Sequence, residues 1–125
     1  MHVVVDADCG NAPKKALVRD WLIAAAKGDT ASIRAHLAEQ ARWETVGETE
    51  CCGVEEVAEG LAGLGEDVAV FRLDRLLSHG KHVAVDGSVE QADGASTRFA
   101  HFIEFDGHGK KSRIASIVTY VVPVA

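Results

Sequence analysis

Apolar positions recur at two spacings along this chain, and the spacing changes near its middle. Leu17, Val18, Trp21, Leu22 and Ala25 fall at helical intervals and form one broad apolar face. Asn11 and Pro13 suit the start of that helix, and Gly28 suits its end, where a left-handed residue is favoured. Asp29 then caps a second helix whose apolar contacts include Ile33 and Leu37. A short strand follows over residues 41–46 (Ala-Arg-Trp-Glu-Thr-Val), and residues 48–52 read as polar and turn-like. From Gly53 the helical spacing returns through Val54, Val57, Ala58, Leu61 and Leu64, with Glu55 and Glu56 in the first turn, where the helix dipole favours negative charge.

Beyond Gly65 the period shortens to two. Four long strands are expected over residues 68–77, 82–91, 96–105 and 113–122. Ser78-His79-Gly80-Lys81 forms the first hairpin, and Asp106-Gly107-His108-Gly109 is a second turn signal. Gly87, inside the second long strand, marks a bulge or sharp bend. The last strand is apolar at nearly every position, which implies cover on both faces. Helices can cover only the concave face, so the convex face calls for a second copy of the chain, and a homodimer packed through the sheet is expected. The predicted fold is α+β: a curved, largely antiparallel sheet wrapped as a cone around three N-terminal helices. Residues 1–10 read as an arm and residues 11–125 as one domain.

Composition narrows the function. The 125 residues suffice for one core without staples, and 47% apolar with 26% charged residues is ordinary for a globular domain. Thirteen Lys and Arg against 19 Asp and Glu give a net charge of −6, which opposes nucleic-acid binding. Lys110, Lys111 and Arg113 read as a solvated hairpin end. No stretch approaches a membrane span, the start lacks the features of a signal peptide, and a cytoplasmic location is the default expectation. Cys9, Cys51 and Cys52 show no disulfide spacing. Cys51 and Cys52 precede a helix start, which can lower a thiol pKa, but they read more simply as loop cysteines. The six histidines show no metal-binding spacing, and neither a phosphate loop nor a dinucleotide fingerprint is present, so no cofactor is expected.

The order helix, helix, short strand, helix, four long strands resembles the nuclear transport factor 2-like superfamily, in its SnoaL-like and ketosteroid-isomerase-like branch. The resemblance covers roughly residues 12–122. It is carried by Ala24-Ala25-Ala26-Lys27-Gly28-Asp29, Trp43-Glu44-Thr45-Val46-Gly47, Gly53-Val54-Glu55-Glu56-Val57 and Phe102-Ile103-Glu104-Phe105-Asp106-Gly107. It implies a pocket at the centre of the cone. Ketosteroid isomerases use a Tyr, an Asp base and a protonated Asp. Matched motif to motif, those places hold Trp21, Thr45 and His101 here. All three differ, so steroid isomerisation by that mechanism is not expected.

His101 is then the candidate acid–base residue, or else a buried histidine satisfied by a neighbouring hydroxyl or carbonyl. Trp21, Trp43 and Thr45 are candidate pocket residues, with core packing as the plainer account of both tryptophans. Alternation puts Phe99, His101, Ile103 and Phe105 on the inner face, and Trp43 and Thr45 on the inner face of the short strand. A one-residue shift there would turn Glu44 inward as a base. Asp20 and Asp74 read as surface charges. Two functions are in view. One is a pocket for a small apolar or aromatic molecule, with cofactor-free isomerase, cyclase or dehydratase chemistry or simple binding. The other is a non-catalytic interaction module. A cavity of at least roughly a few hundred Å³ favours the first, and one closed by Trp21 and Trp43 the second.

Overall fold

The computed structural model describes residues 1–10 and 12–124. Asn11, expected at the first helix start, lies outside them. The order is β1 (His2–Val5), α1 (Pro13–Ala26), α2 (Thr30–Ala35), β2 (Leu37–Thr45), β3 (Thr49–Cys52), α3 (Val54–Gly63), β4 (Val68–His79), β5 (His82–Gln91), β6 (Ser96–Phe105) and β7 (Ile114–Val124). All seven strands form one curved sheet in the order β1-β4-β5-β6-β7-β2-β3. The β4–β5, β5–β6, β6–β7 and β2–β3 pairs are antiparallel; β1–β4 and β2–β7 are parallel. The result is the expected α+β cone, with the helices in its concavity. No helix among the described residues is long and apolar enough to cross a membrane.

Local chemistry sets the helix junctions. Gly28, at φ +72°, takes the left-handed turn that ends α1. Asp29 accepts a hydrogen bond from the Ser32 backbone N–H at 3.2 Å and thereby caps α2. Its carboxylate also accepts from the Ser32 hydroxyl at 2.6 Å, and these bonds hold its pKa below the usual range. Trp21 ties the two helices together, its indole N–H donating to the Ile33 carbonyl at 3.0 Å. Without a bare helix face at Gly60, α3 could not seat on β2, because a Cβ there would lie 2.9 Å from the Trp43 ring.

Three segments differ from expectation. Thr49–Cys52, read as turn-like, form β3, paired with β2 from Thr45↔Thr49 to Arg42↔Cys52. β3 is an edge strand exposed on most of its length, so its side chains carry no apolar alternation. The first residues do not stay a loose arm either: β1 runs parallel to β4 from His2↔Val70 to Val5↔Leu73, and Cys9 is buried in the core. The second helix ends before Leu37, which instead opens β2 and is buried there.

The bend expected at Gly87 is a close approach of two strands. Leu73 pairs with Gly87 and Arg75 with Asp86, so Asp74 is an extra residue bulged out of β4 opposite the glycine. The backbones approach so tightly that a Cβ at Gly87 would lie 1.9 Å from the Arg72 carbonyl oxygen. This bulge lets β4 and β5 curl over the helices.

Candidate functional site

Inward-facing residues of the long strands meet the ends of α1 and α3 around an apolar cavity of about 170 Å³. Leu22, Ala25 and Ala26 of α1 and Leu61 of α3 line the helix side. Phe71, Val89, Phe99 and Val121 line the sheet side. Small side chains at Ala25 and Ala26 leave the space that larger ones would fill. Leu64, Val68, Gln91 and Thr97 complete the lining, with Leu64 and Gln91 exposed at the surface. Phe71 and Phe99 stack in parallel, ring centres 5.8 Å apart, to form an aromatic wall.

The cavity contains one buried polar pair, His101 and Thr119, directly opposed across β6 and β7. His101 Nδ1 lies 2.7 Å from Thr119 Oγ1, and the Trp43 indole N–H donates to the same oxygen at 2.8 Å. The His101 ring packs against Phe99, centres 4.9 Å apart. Burial without a charged partner pushes the His101 pKa from 6.5 down to about 4, so the ring is neutral near pH 7. Nε2 makes no hydrogen bond, and no fully buried side-chain nitrogen or oxygen lacks a partner, among the described residues. Nε2 therefore keeps some accessible surface, on a ring that lines the cavity.

The expected site residues separate into groups. His101 and Phe99 line the cavity. Trp43 stands behind it, holding Thr119. Trp21 is 2% exposed and packs between α1 and α2, away from the lining, where it bonds Ile33. Thr45, half-buried at the end of β2, pairs with Thr49 and Thr119 without lining the cavity. Ile103 lies deeper in the core, 2% exposed and outside the lining. Neither tryptophan closes the cavity. Glu44 is exposed on the opposite face of β2, so the register places no carboxylate inward there. Asp74 and Asp86 lie outside the cavity, beside Arg98 and Arg75 respectively, and Asp20 beside Arg19.

Sequence reasoning missed Thr119 and the residues from the helix ends. Thr119 carried a signal: it is a polar residue between Ile117 and Val121 on the inner face of an otherwise apolar strand. Three larger hollows, of about 360, 560 and 290 Å³, lie elsewhere. The first sits on the outer sheet around Leu77, Ala84 and Phe102, the second beside Lys14, His108 and Lys110. The third lies on the outer sheet around Arg75, Asp86 and Phe102, and all three are open surface grooves. The smaller cavity is the better candidate because it is less open than the others, mainly apolar and holds a buried polar pair. Among the described residues, no cluster of His, Cys, Asp or Glu is placed to hold a metal ion. Burial raises the Cys51 thiol pKa, with Glu56 adding to the effect, which is the opposite of activation.

The sequence pattern of the SnoaL-like domain matches residues 18–116. No curated protein matches the sequence. Among solved structures, a protein of nuclear transport factor 2-like fold from Burkholderia xenovorans superimposes with a TM-score of 0.77 at 13% identity, over 94% of this chain and 89% of that one. A Kribbella flavida protein provisionally described as a ketosteroid isomerase gives a TM-score of 0.75 at 18% identity, over 90% and 80%. A de novo designed protein with a curved β-sheet gives 0.76 at 22% identity, over 91% and 88%. At these identities the likeness is one of fold.

Proposed function

This chain belongs to the SnoaL-like domain family, and we propose that its cavity binds a small, mostly apolar ring compound whose single polar group meets His101. The observation that carries this reading is the cavity itself, lined mainly by apolar side chains, with the buried His101–Thr119 pair inside and Gln91 and Thr97 as its other polar lining residues. Its volume of about 170 Å³ limits the occupant to roughly one ring with a short substituent, since an apolar cavity of about 150 Å³ accommodates benzene. A steroid's four fused rings exceed that volume and would extend out of the cavity.

No Asp or Glu is among the residues lining the cavity. Any cofactor-free isomerase, cyclase or dehydratase step there therefore falls to His101, the one titratable side chain of the lining.

We further propose that the chain works as a homodimer packed through the outer face of the sheet. Leu77, Ala84, Phe102 and Val118 form a continuous cross-strand row there, and Phe102 stacks edge-on with Tyr120 at 6.0 Å. Leu77, Phe102, Tyr120 and Val122 are 66, 55, 47 and 60% exposed, a concentration of bare apolar surface unusual for a monomer. Arg75–Asp86 and Lys81–Glu104 ion pairs flank the row, and Glu44 of β2 borders it beside Val118. Phe102→Glu is expected to convert a dimer to a monomer by analytical ultracentrifugation, with the far-ultraviolet circular dichroism unchanged. A parent protein that is already monomeric would refute the dimer.

Native mass spectrometry of the purified protein tests both proposals together. A dimer retaining a small organic molecule is expected. A bare monomer would contradict them.

A further inference from the structure

Resting on the reading of the cavity as a ligand pocket, we propose that Trp43 and Thr119 are positioning residues that fix His101 as its Nε2–H tautomer. The pocket then selects ring compounds bearing a hydrogen-bond-accepting oxygen, with a ketone as the simplest case.

The tautomer follows from counting hydrogens. Indole Nε1–H donates and cannot accept, so in the 2.8 Å contact the Thr119 oxygen is the acceptor. A hydroxyl carries one hydrogen. In the 2.7 Å contact, Thr119 either donates that hydrogen to His101 Nδ1 or accepts a second one from it. The second arrangement leaves the Thr119 hydroxyl hydrogen buried without an acceptor, because Thr119 is 1% exposed and its oxygen has no third partner among the described residues. Leaving a buried donor unmade is the costlier choice. The chain therefore runs from Trp43 N–H to Thr119 oxygen, and from Thr119 O–H to His101 Nδ1. A neutral imidazole with Nδ1 as acceptor carries its proton on Nε2. The ring is neutral near pH 7, because its pKa is pushed down to about 4.

The unpaired Nε2–H keeps accessible surface on a ring that lines the cavity and offers a donor without a formal charge. An aromatic wall of Phe71 and Phe99 complements a flat ring, and the donor complements a carbonyl oxygen on it. A carboxylate ligand fits poorly, because no cation among the lining residues would balance it in an apolar enclosure. An alkene of the same shape leaves the buried donor unmade and is disfavoured for that reason. His101 thus acts by donating toward an oxygen, and Nδ1 is already occupied by Thr119.

Nitrogen-15 spectra of the histidine-labelled full chain read the tautomer directly. A pyridine-type Nδ1 and a pyrrole-type Nε2 are expected for His101 in the parent and in Thr119→Ser, which keeps the hydroxyl. Thr119→Val and Trp43→Phe are expected to shift His101 toward a mixture of tautomers. Acetophenone and its isostere α-methylstyrene then probe selectivity by calorimetric titration. Thr119→Val is expected to weaken acetophenone binding about tenfold while changing α-methylstyrene binding less than about twofold, and Thr119→Ser to restore the ketone. A pyrrole-type Nδ1 in the parent would overturn the inference and leave the pocket intact. Equal losses for both compounds in Thr119→Val would do the same. If neither compound binds the parent, the pocket reading itself fails, whatever the tautomer.

Discussion

Replacing Gly87 with Ala is expected to destabilise the fold by at least about 3 kcal/mol and to lower the melting temperature by roughly 10 °C. The reason is steric and lies in the backbone. An added Cβ meets the Arg72 carbonyl oxygen at 1.9 Å and the Phe99 ring at 3.0 Å. A flexible side chain could move aside, but the carbonyl is fixed in the β4–β5 ladder beside the Asp74 bulge. Relief requires the two strands to part where the sheet must curl, and Phe99 of the cavity wall would shift with them. Thermal denaturation followed by circular dichroism measures the effect. A variant as stable as the parent would show that the strands separate there at little cost.

The second large effect depends on pH. His101 titrates near 6.5 in an unfolded chain but only near about 4 in the folded protein, where burial disfavours its charged form. The unfolded state therefore takes up the proton first as the solution is acidified. Stability contributed by the neutral buried ring is fully present above about pH 6.5, falls as the pH drops, and has been lost once the folded ring also protonates, below about pH 4. The total loss amounts to about 3 kcal/mol. Carboxylates such as Asp29 and Asp86, whose pKa values are lowered, add their own losses at lower pH. The comparison that isolates His101 is with His101→Asn, whose amide oxygen still accepts from Thr119. Urea unfolding of both proteins between pH 7.5 and roughly pH 4 is expected to show the parent losing its advantage over that window. Parallel curves would mean that the ring protonates as readily folded as unfolded.

The sequence carried the architecture wherever a segment has one wet face and one dry one. β5 and β6 match their expected bounds, and Phe99, His101, Ile103 and Phe105 point inward as alternation required. Gly28 and Asp29 signalled the α1–α2 junction because a left-handed turn and a cap each demand particular residues. β3 was hidden because it is a mostly exposed edge strand with no dry face to mark it. β1 was hidden because its partner lies 68 residues away, at Val70 for His2, and no turn announces a parallel pairing.

The site was legible in a narrower sense. The inward direction of His101 follows from strand alternation, but its partner does not, since Thr119 meets it only through the β6–β7 register. Both tryptophans were candidate pocket walls with core packing as the plainer account, and the sequence could not say where their indole donors would be satisfied. Trp21 found the Ile33 carbonyl within the helical layer, and Trp43 found Thr119 at the cavity floor. The cavity itself is a space left by small residues at the helix ends, Ala25 and Ala26, and such a space has no periodic signature.

The pocket and its donor are tested together by the crystal structure of the protein soaked with acetophenone. The expected result is one molecule in the cavity, its ring against Phe71 and Phe99 and its oxygen within hydrogen-bonding distance of His101 Nε2. An empty cavity, with the compound absent or seated only on the outer sheet, would contradict the account.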